Sequence, residues 1–371
     1  MTVQTIDLAG EAPGSTRRLV RHSWGAAGAR PKVYLQAALH ADEMPGVIAL
    51  QHLMDLLDVA EAEGRITGEI CVVPLANPIG FGQWISHKPM GRQELESMQN
   101  FNRHYPDLAA LIADALETKL TESAAENLTI IRAEMAAAIA ALPVKSDLDA
   151  LRKTLLGWSH DADYVLDCHC DHMAVMHLYA SPLRPADTSL LCRATGARLA
   201  LIQEVSGGNA FDEAHTVPWA VLKRRYAGRF PIPDGCFSTT LEFRGQLDVD
   251  DATGAQDGAN LLAFLGAIGA VAGCAAPAHD DAPHYPLGGT DEAFAPQGGV
   301  VTWQKRPGDW LQKGETVAHV TDPMTRLRLP VTAPNSGLLF RIELWRHCLR
   351  GQSLFNLAGP DVLRSGDLLS D

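Results

Sequence analysis

Residues 32–39 (KVYLQAAL) form a short apolar run rich in strand-forming side chains. From Pro45 to about Ala60, apolar residues recur at helical spacing behind a proline in the first turn. A strand, a loop and a helix are the expectation. A second apolar run over residues 69–76 closes on Asn77-Pro78 and reads as another buried strand. The opening is therefore β–α–β, which favours a parallel or mixed sheet in an α/β fold. DYVLD at 163–167 and STTLEF at 238–243 predict two further short strands, and the Ala-, Leu-, Glu- and Lys-rich stretch at about 107–158, broken at Leu142-Pro143, predicts an inserted pair of helices.

Around residues 274–294 the composition shifts to Ala, Pro, Gly, Asp and His, as in a linker. This predicts a catalytic-sized domain over 1–280 and a second, β-rich domain over 290–371. In the latter, APQGG, RPGDWLQKGE, DP and APNSGLL place turns at short intervals, the pattern of a small all-β barrel or sandwich. Residues 261–278 are apolar for nearly the length that spans a bilayer. They are Ala/Gly-rich, include Pro277 and have no companion segment, so a tightly packed core helix is expected and a membrane span is not.

The length of 371 residues, 46% of them hydrophobic, accommodates one large enzyme domain and a smaller companion. With 44 acidic against 31 basic residues the formal charge is -13, and no basic run interleaved with aromatics offers a groove for nucleic acid. The first residues lack the basic and apolar regions of a secretory signal, and seven scattered cysteines fit a reduced compartment, so a cytoplasmic protein is expected.

The chemistry gathers at strand ends. His40-Ala-Asp-Glu43 follows the first strand, where side chains reach past the carboxyl edge of an open sheet, and imidazole with carboxylate is a zinc pairing. A lone HxxE is also a common helix start. His169 ends a second strand and would complete a His–Glu–His set; alone it reads equally as a core histidine bonded to a carbonyl. Asp167 could orient a histidine or cap the strand, and Cys168 and Cys170 should face away from His169 on an extended backbone. Asn102-Arg103, preceded by Arg92, offers a planar fork and a neutral donor suited to an anionic group. In TTLEFRG, alternation puts Thr240, Glu242 and Arg244 on one face; Glu242 is either salt-bridged, with Arg244 as a candidate partner, or a desolvated base.

Taken in order, the HxxE after a strand, the Asn-Pro after the next, the Asn-Arg pair, the strand-end Asp-x-His, the Thr-x-Glu strand and the β-rich tail resemble the succinylglutamate desuccinylase/aspartoacylase family. The resemblance spans essentially the whole chain. It implies a mixed-sheet zinc carboxypeptidase-like (phosphorylase/hydrolase-like) catalytic domain holding one zinc ion per chain on His40, Glu43 and His169. It also implies that Asn102 and Arg103 bind a substrate carboxylate, that Arg92 polarises the scissile carbonyl and that Glu242 is the general base. The expected activity is hydrolysis of the amide of a small N-acyl amino acid; peptide carboxypeptidase action, or a non-catalytic binding role, are the alternatives. The family commonly carries glycine around its first histidine, where this chain has Leu39 and Ala41. The tail, at about 295–359, resembles a biotinyl/lipoyl-type barrel-sandwich. Carrier domains need an exposed lysine between their two matching turns, and no lysine follows Lys313, so the tail is expected to pack near the site or to build an oligomer interface.

Overall fold

The structure, a computed structural model, describes residues 1–8, 13–366 and 368–369. Every side chain of Lys32–Ala37 is buried, as it must be in a strand covered on both faces. In chain order the strands of the N-terminal region are β1 (Thr2–Asp7), β2 (Arg18–Trp24), β3 (Lys32–Ala37), β4 (Glu69–Val73), the hairpin β5 (Trp84–Ile85) and β6 (Lys88–Pro89), β7 (Tyr164–Asp171), β8 (Met173–Ala174), β9 (His177–Ala180), β10 (Ala200–Ile202), β11 (Phe237–Gly245) and β12 (His284–Pro286). Among the described residues, nine of them form one sheet in the order β1-β2-β4-β3-β7-β11-β9-β10-β12. Its centre, β4-β3-β7-β11, is parallel, whereas β2 and β9 run antiparallel to their inner neighbours, so the sheet is mixed.

Helices cover both faces. In chain order they are α1 (Pro45–Ala62), α2 (Pro78–Phe81), α3 (Leu108–Leu116), α4 (Ala124–Ala141), α5 (Asp147–Ser159), α6 (Pro185–Thr195), α7 (Glu213–Arg225) and α8 (Asp251–Ala267). One core joins Tyr34, Val73 and Val165 to α3, α4, α5 and α7; the other joins Val33, Leu35 and Leu166 to α1, α6 and α8. Each fully buried leucine of α1, such as Leu50, Leu53 and Leu57, contributes about 1.5–3 kcal/mol.

Two expectations need correction. The insertion holds three helices, because Ser123 accepts a hydrogen bond from Glu126 N and opens α4, while Ser146 does the same for Asp149 N and opens α5. The core helix is α8, Asp251–Ala267, capped by Asp250, so the apolar window at 261–278 straddles its end. No helix among the described residues is long and apolar enough to cross a membrane. The small residues of α8 serve close packing: a Cβ at Gly254 would lie 2.3 Å from Ile48 Cγ2, and one at Gly258 would lie 2.9 Å from Leu53 N.

The C-terminal strands are β13 (Thr290–Phe294), β14 (Gly299–Trp303), β15 (Trp310–Leu311), β16 (Thr316–Thr321), β17 (Arg328–Thr332), β18 (Gly337–Ile342), β19 (His347–Cys348) and β20 (Ser353–Ala358). They make two antiparallel sheets, β13-β20-β18-β15 and β17-β16-β14-β19, that share one core of Val301, Val317, Val320, Leu339 and Phe355. This β unit is stitched to the rest of the chain. Strand β8, just past the end of β7, pairs with β18, and β12, within the expected linker, forms the edge of the nine-stranded sheet.

Candidate metal centre and its pocket

Because β3, β7 and β11 are adjacent and parallel, their carboxyl ends open at one edge, and the register pairs Glu242 directly with His169. The loop after β3 turns at Ala38, whose φ is +56°, and is pinned from behind. Asn77, fully buried, donates from Nδ2 to Leu39 O at 2.9 Å, and Ala41 N donates to Gly91 O at 3.0 Å. The Asn-Pro after β4 therefore shapes the histidine loop, and Gly91 lets the segment bearing Arg92 lie against it: a Cβ there would sit 2.2 Å from Asp42 N.

His40, Glu43 and His169 are all buried, with ligand atoms within 4.8 Å of one another. The Glu43 carboxylate lies between two ring nitrogens, Oε1 3.0 Å from His40 Nδ1 and Oε2 2.8 Å from His169 Nδ1. Each ring is oriented from its far side. His40 Nε2 lies 2.9 Å from Asn100 Oδ1, and His169 Nε2 lies 2.9 Å from Asp167 Oδ2, while Gln36 Nε2 donates to Asp167 Oδ1 at 2.9 Å. Donation through both Nε2–H groups leaves both Nδ1 lone pairs aimed at Glu43, a convergence of acceptors that a cation would relieve. The donor set fits a divalent ion.

Electrostatics separate the two rings. Burial lowers the pKa of His40 to about 4, keeping the ring neutral as a ligand must be. Burial also works against charge on His169, but Asp167 and Glu43 outweigh it and raise that pKa well above the ordinary value. Burial favours the neutral form of Glu43 too, yet the two histidines hold its carboxyl well below its usual range. Glu242 is the opposite case: burial, reinforced by the charge of Glu43, pushes it well above the ordinary carboxylate range, and its Oε2 has no hydrogen-bond partner. Of the two readings of Glu242, the salt bridge to Arg244 is absent. Arg244 has a φ of +63° where the β7–β11 register shifts, and it pairs with Asp257 of α8.

All seven residues to which the family resemblance gave roles line one cavity of about 470 Å³, within the range of small-molecule sites. Arg92 Nη1 is 3.3 Å from His40 Nδ1 and 3.9 Å from Glu43 Oε1, with its side chain half exposed. Asn102 Oδ1 accepts from Phe211 N at 2.8 Å, and Arg103 Nη1 donates to Asn102 O at 2.8 Å. Cys170, expected to face away, also borders the cavity, because Glu43 Oε2 draws in its backbone N–H at 3.2 Å at the strand end; burial pushes its thiol pKa far up. The sequence reading missed several contributors. Arg152, on the helical insertion, donates to Asn100 O and Gln99 Oε1, holding the loop that orients His40. Arg341 and Glu292 reach the cavity from the C-terminal β unit, and Leu368 and Leu369 border it after donating their backbone N–H groups to Ser206 O.

The sequence pattern that describes the succinylglutamate desuccinylase/aspartoacylase catalytic domain matches residues 29–137, the segment that carries His40, Glu43, Arg92, Asn102 and Arg103. Over that segment the chain is similar to that family. Crystal structures described under the same family name have the same fold over nearly their whole length. A succinylglutamate desuccinylase/aspartoacylase family protein of Shewanella amazonensis is 23% identical, covering 96% of this chain and 98% of its own, with a TM-score of 0.85. A protein of Shewanella frigidimarina described as a succinylglutamate desuccinylase/aspartoacylase is 25% identical, covering 96% of each chain, with a TM-score of 0.83. The product-bound ectoine utilization protein EutE (DoeB) of Ruegeria pomeroyi is 18% identical, covering 96% of this chain and 94% of its own, with a TM-score of 0.66. No curated protein matches the chain.

Proposed function

We propose that this chain is a zinc-dependent hydrolase that cleaves the amide of a small N-acyl amino acid. The observation that carries the reading is the buried convergence of His40 Nδ1, His169 Nδ1 and the Glu43 carboxylate beside Glu242 in a cavity of small-molecule size. A zinc ion held by those three residues supplies Lewis acidity and makes water a better acid. Glu242, poised above the usual carboxylate range, accepts a proton from the attacking water and passes it to the leaving nitrogen. Arg92 polarises the scissile carbonyl, and Asn102 with Arg103 holds the substrate carboxylate.

The domain division at about residues 280–290 belongs to the same reading, with a barrel-sandwich tail of biotinyl/lipoyl type that lacks a carrier lysine. The cavity-lining Arg341 and Glu292 support a tail that completes the pocket. A cytoplasmic location is consistent with seven free cysteines, six of them buried.

The test is metal content per chain, for the wild type and His169→Ala, together with amine release from a panel of N-acetyl and N-succinyl amino acids. Near-stoichiometric zinc and amide hydrolysis, both lost in the variant, are expected. A folded, metal-free wild type that hydrolyses no amide would overturn the reading. Glu242→Gln should keep the metal and lose turnover by about 10²–10⁴-fold, the scale of a general base.

A further inference from the structure

A cavity of about 440 Å³ lies at the opposite end of the sheet from the metal centre, where α4 meets the amino ends of the parallel strands. Arg30 stands just before β3, Asp161 and Asp163 just before β7, and Gly235 just before β11. The chain from Asp163 to His169 is extended, and at about 3.3 Å per residue it puts about 20 Å between this cavity and the metal ligands. Leu128, Ala133 and Ala136 of α4 give the cavity an apolar wall, and Arg30, Arg132, Asp161 and Asp163 give it a polar one.

The polar wall has an excess of donors. Asp163 is saturated: its Oδ1 accepts from Arg132 Nη2 at 2.8 Å, and its Oδ2 accepts from Lys32 N at 2.7 Å and from Arg30 Nη1 at 3.2 Å. Asp161 meets Lys32 Nζ with Oδ1 and Arg30 Nη2 with Oδ2, the latter at 3.4 Å. Arg132 is the exception. It is only 8% exposed, and all its hydrogen bonds leave from Nη2: to Asp163, to Ala162 O at 3.3 Å and to Gly235 O at 2.8 Å. Its Nε is buried without a partner, and its Nη1 carries no hydrogen bond among the described residues. A guanidinium is a multiple donor with no acceptor capacity, so a desolvated one beside carboxylates that are already taken calls for a further acceptor.

We infer that this cavity is a second binding site, for a small carboxylate with an apolar body. The carboxylate accepts from Arg132, and the hydrocarbon lies on Leu128, Ala133 and Ala136. An apolar wall beside an unsatisfied guanidinium selects an organic anion over an inorganic one. The inference stands apart from the deacylase reading, because the two cavities share no lining residue and this one needs neither metal nor turnover. A ligand held there joins α4 to the starts of the strands, and so stabilises the insertion against the sheet.

The metal-loaded full chain, carrying ¹³C-labelled leucine methyls, is titrated with 4-methylpentanoate, with acetate and with 4-methylpentylamine while the methyl resonances are followed by NMR. Leu128 reports this cavity, and Leu368 and Leu369 report the metal cavity. 4-Methylpentanoate should move the Leu128 signals saturably. Acetate, which lacks the apolar body, should bind at least about tenfold more weakly, and the amine, of similar shape and opposite charge, should leave Leu128 unmoved. Arg132→Gln should weaken the Leu128 response by at least about tenfold, the scale of one charge-assisted hydrogen bond. Ala136→Glu, which supplies the recess with a carboxylate of its own and keeps Arg132, should do the same and covers a folding failure of the first variant. Shifts confined to Leu368 and Leu369 would place the carboxylate at the metal cavity and overturn the inference. So would a Leu128 response that is absent, that the amine matches, or that both variants leave unchanged; each would leave Arg132 to water and the deacylase reading untouched.

Discussion

Replacing Asp167 by asparagine changes one charge at a fully buried position and almost nothing in shape, so its effect can be worked out from the hydrogen bonds around it. The carboxylate accepts from His169 Nε2 on one oxygen and from Gln36 Nε2 on the other, and Gln36 Oε1 in turn accepts from Tyr34 Oη at 2.9 Å. Asparagine can keep its oxygen towards His169, but its NH₂ then faces the Gln36 NH₂. The clash clears only if Gln36 flips, and Tyr34 Oη must then accept where it had donated. The polar chain survives at the cost of reorganisation, whereas the charge-assisted bond that fixes the His169 ring and raises its basicity is lost. Removing such a partner behind a metal-bound histidine weakens metal binding by about 10–100-fold, or about 1.4–2.8 kcal/mol at 1.4 kcal/mol per factor of ten. Competition against a chromophoric chelator at fixed pH measures the zinc Kd directly. A Kd within twofold of wild type, in a variant that unfolds at the same temperature without metal, would refute the argument and leave Asp167 with no part in metal binding.

The raised pKa of His169 gives a pH signature with a definite sign. In the metal-free protein it contributes stability that is fully present below about 6.5, the unfolded histidine value, and is lost as pH rises through the raised folded value. The melting temperature of metal-free protein should therefore fall across that window more than that of the loaded form. Zinc should bind more weakly as pH drops below the folded value, with a proton released per ion, read by calorimetry in two buffers of different ionisation enthalpy. Gly91→Ala forces a methyl onto the backbone of the histidine loop; an overpacking cost of about 1–3 kcal/mol in urea unfolding is expected, with weaker zinc binding. Deleting residues 365–371 removes Leu368 and Leu369 from the cavity wall and should raise KM by severalfold while the zinc content is unchanged; an unchanged KM would show that substrate does not touch them.

The central strands were legible because both faces are covered and their residues form continuous apolar runs, as in KVYLQA and EICVV. The third inserted helix was not, although Ser123 and Glu126 stand at capping-box spacing, because an Ala-rich stretch reads as helix with or without a break. The extent of α8 was missed for a related reason. Its glycines look like breakers in sequence, and only the approach of Ile48 and Leu53 on α1 shows that they are sites of close packing.

The candidate metal set could be assembled from the sequence because His40 and Glu43 stand in the loop after β3 and His169 near the end of β7, and parallel neighbours in one sheet bring those ends together. The sequence signal fails where a contribution crosses between units. Asp171 and His172 stand two and three residues past the β7 histidine, and each finds its ion-pair partner on or just beyond β18: Arg341 at 2.9 Å and Glu343 at 2.9 Å. Strand β8 then pairs with β18 in register, so within five residues of His169 the chain is bonded to a sheet whose sequence lies more than a hundred residues away. No local pattern encodes such a pairing, because β8 is only two residues long and β18 reads as an ordinary strand of its own sheet. The same pairing is what brings Arg341 to the cavity. A tail that resembles a separate carrier-type module in sequence is thus, physically, one wall of the cavity, and a division at the linker would cut the contacts that build that wall.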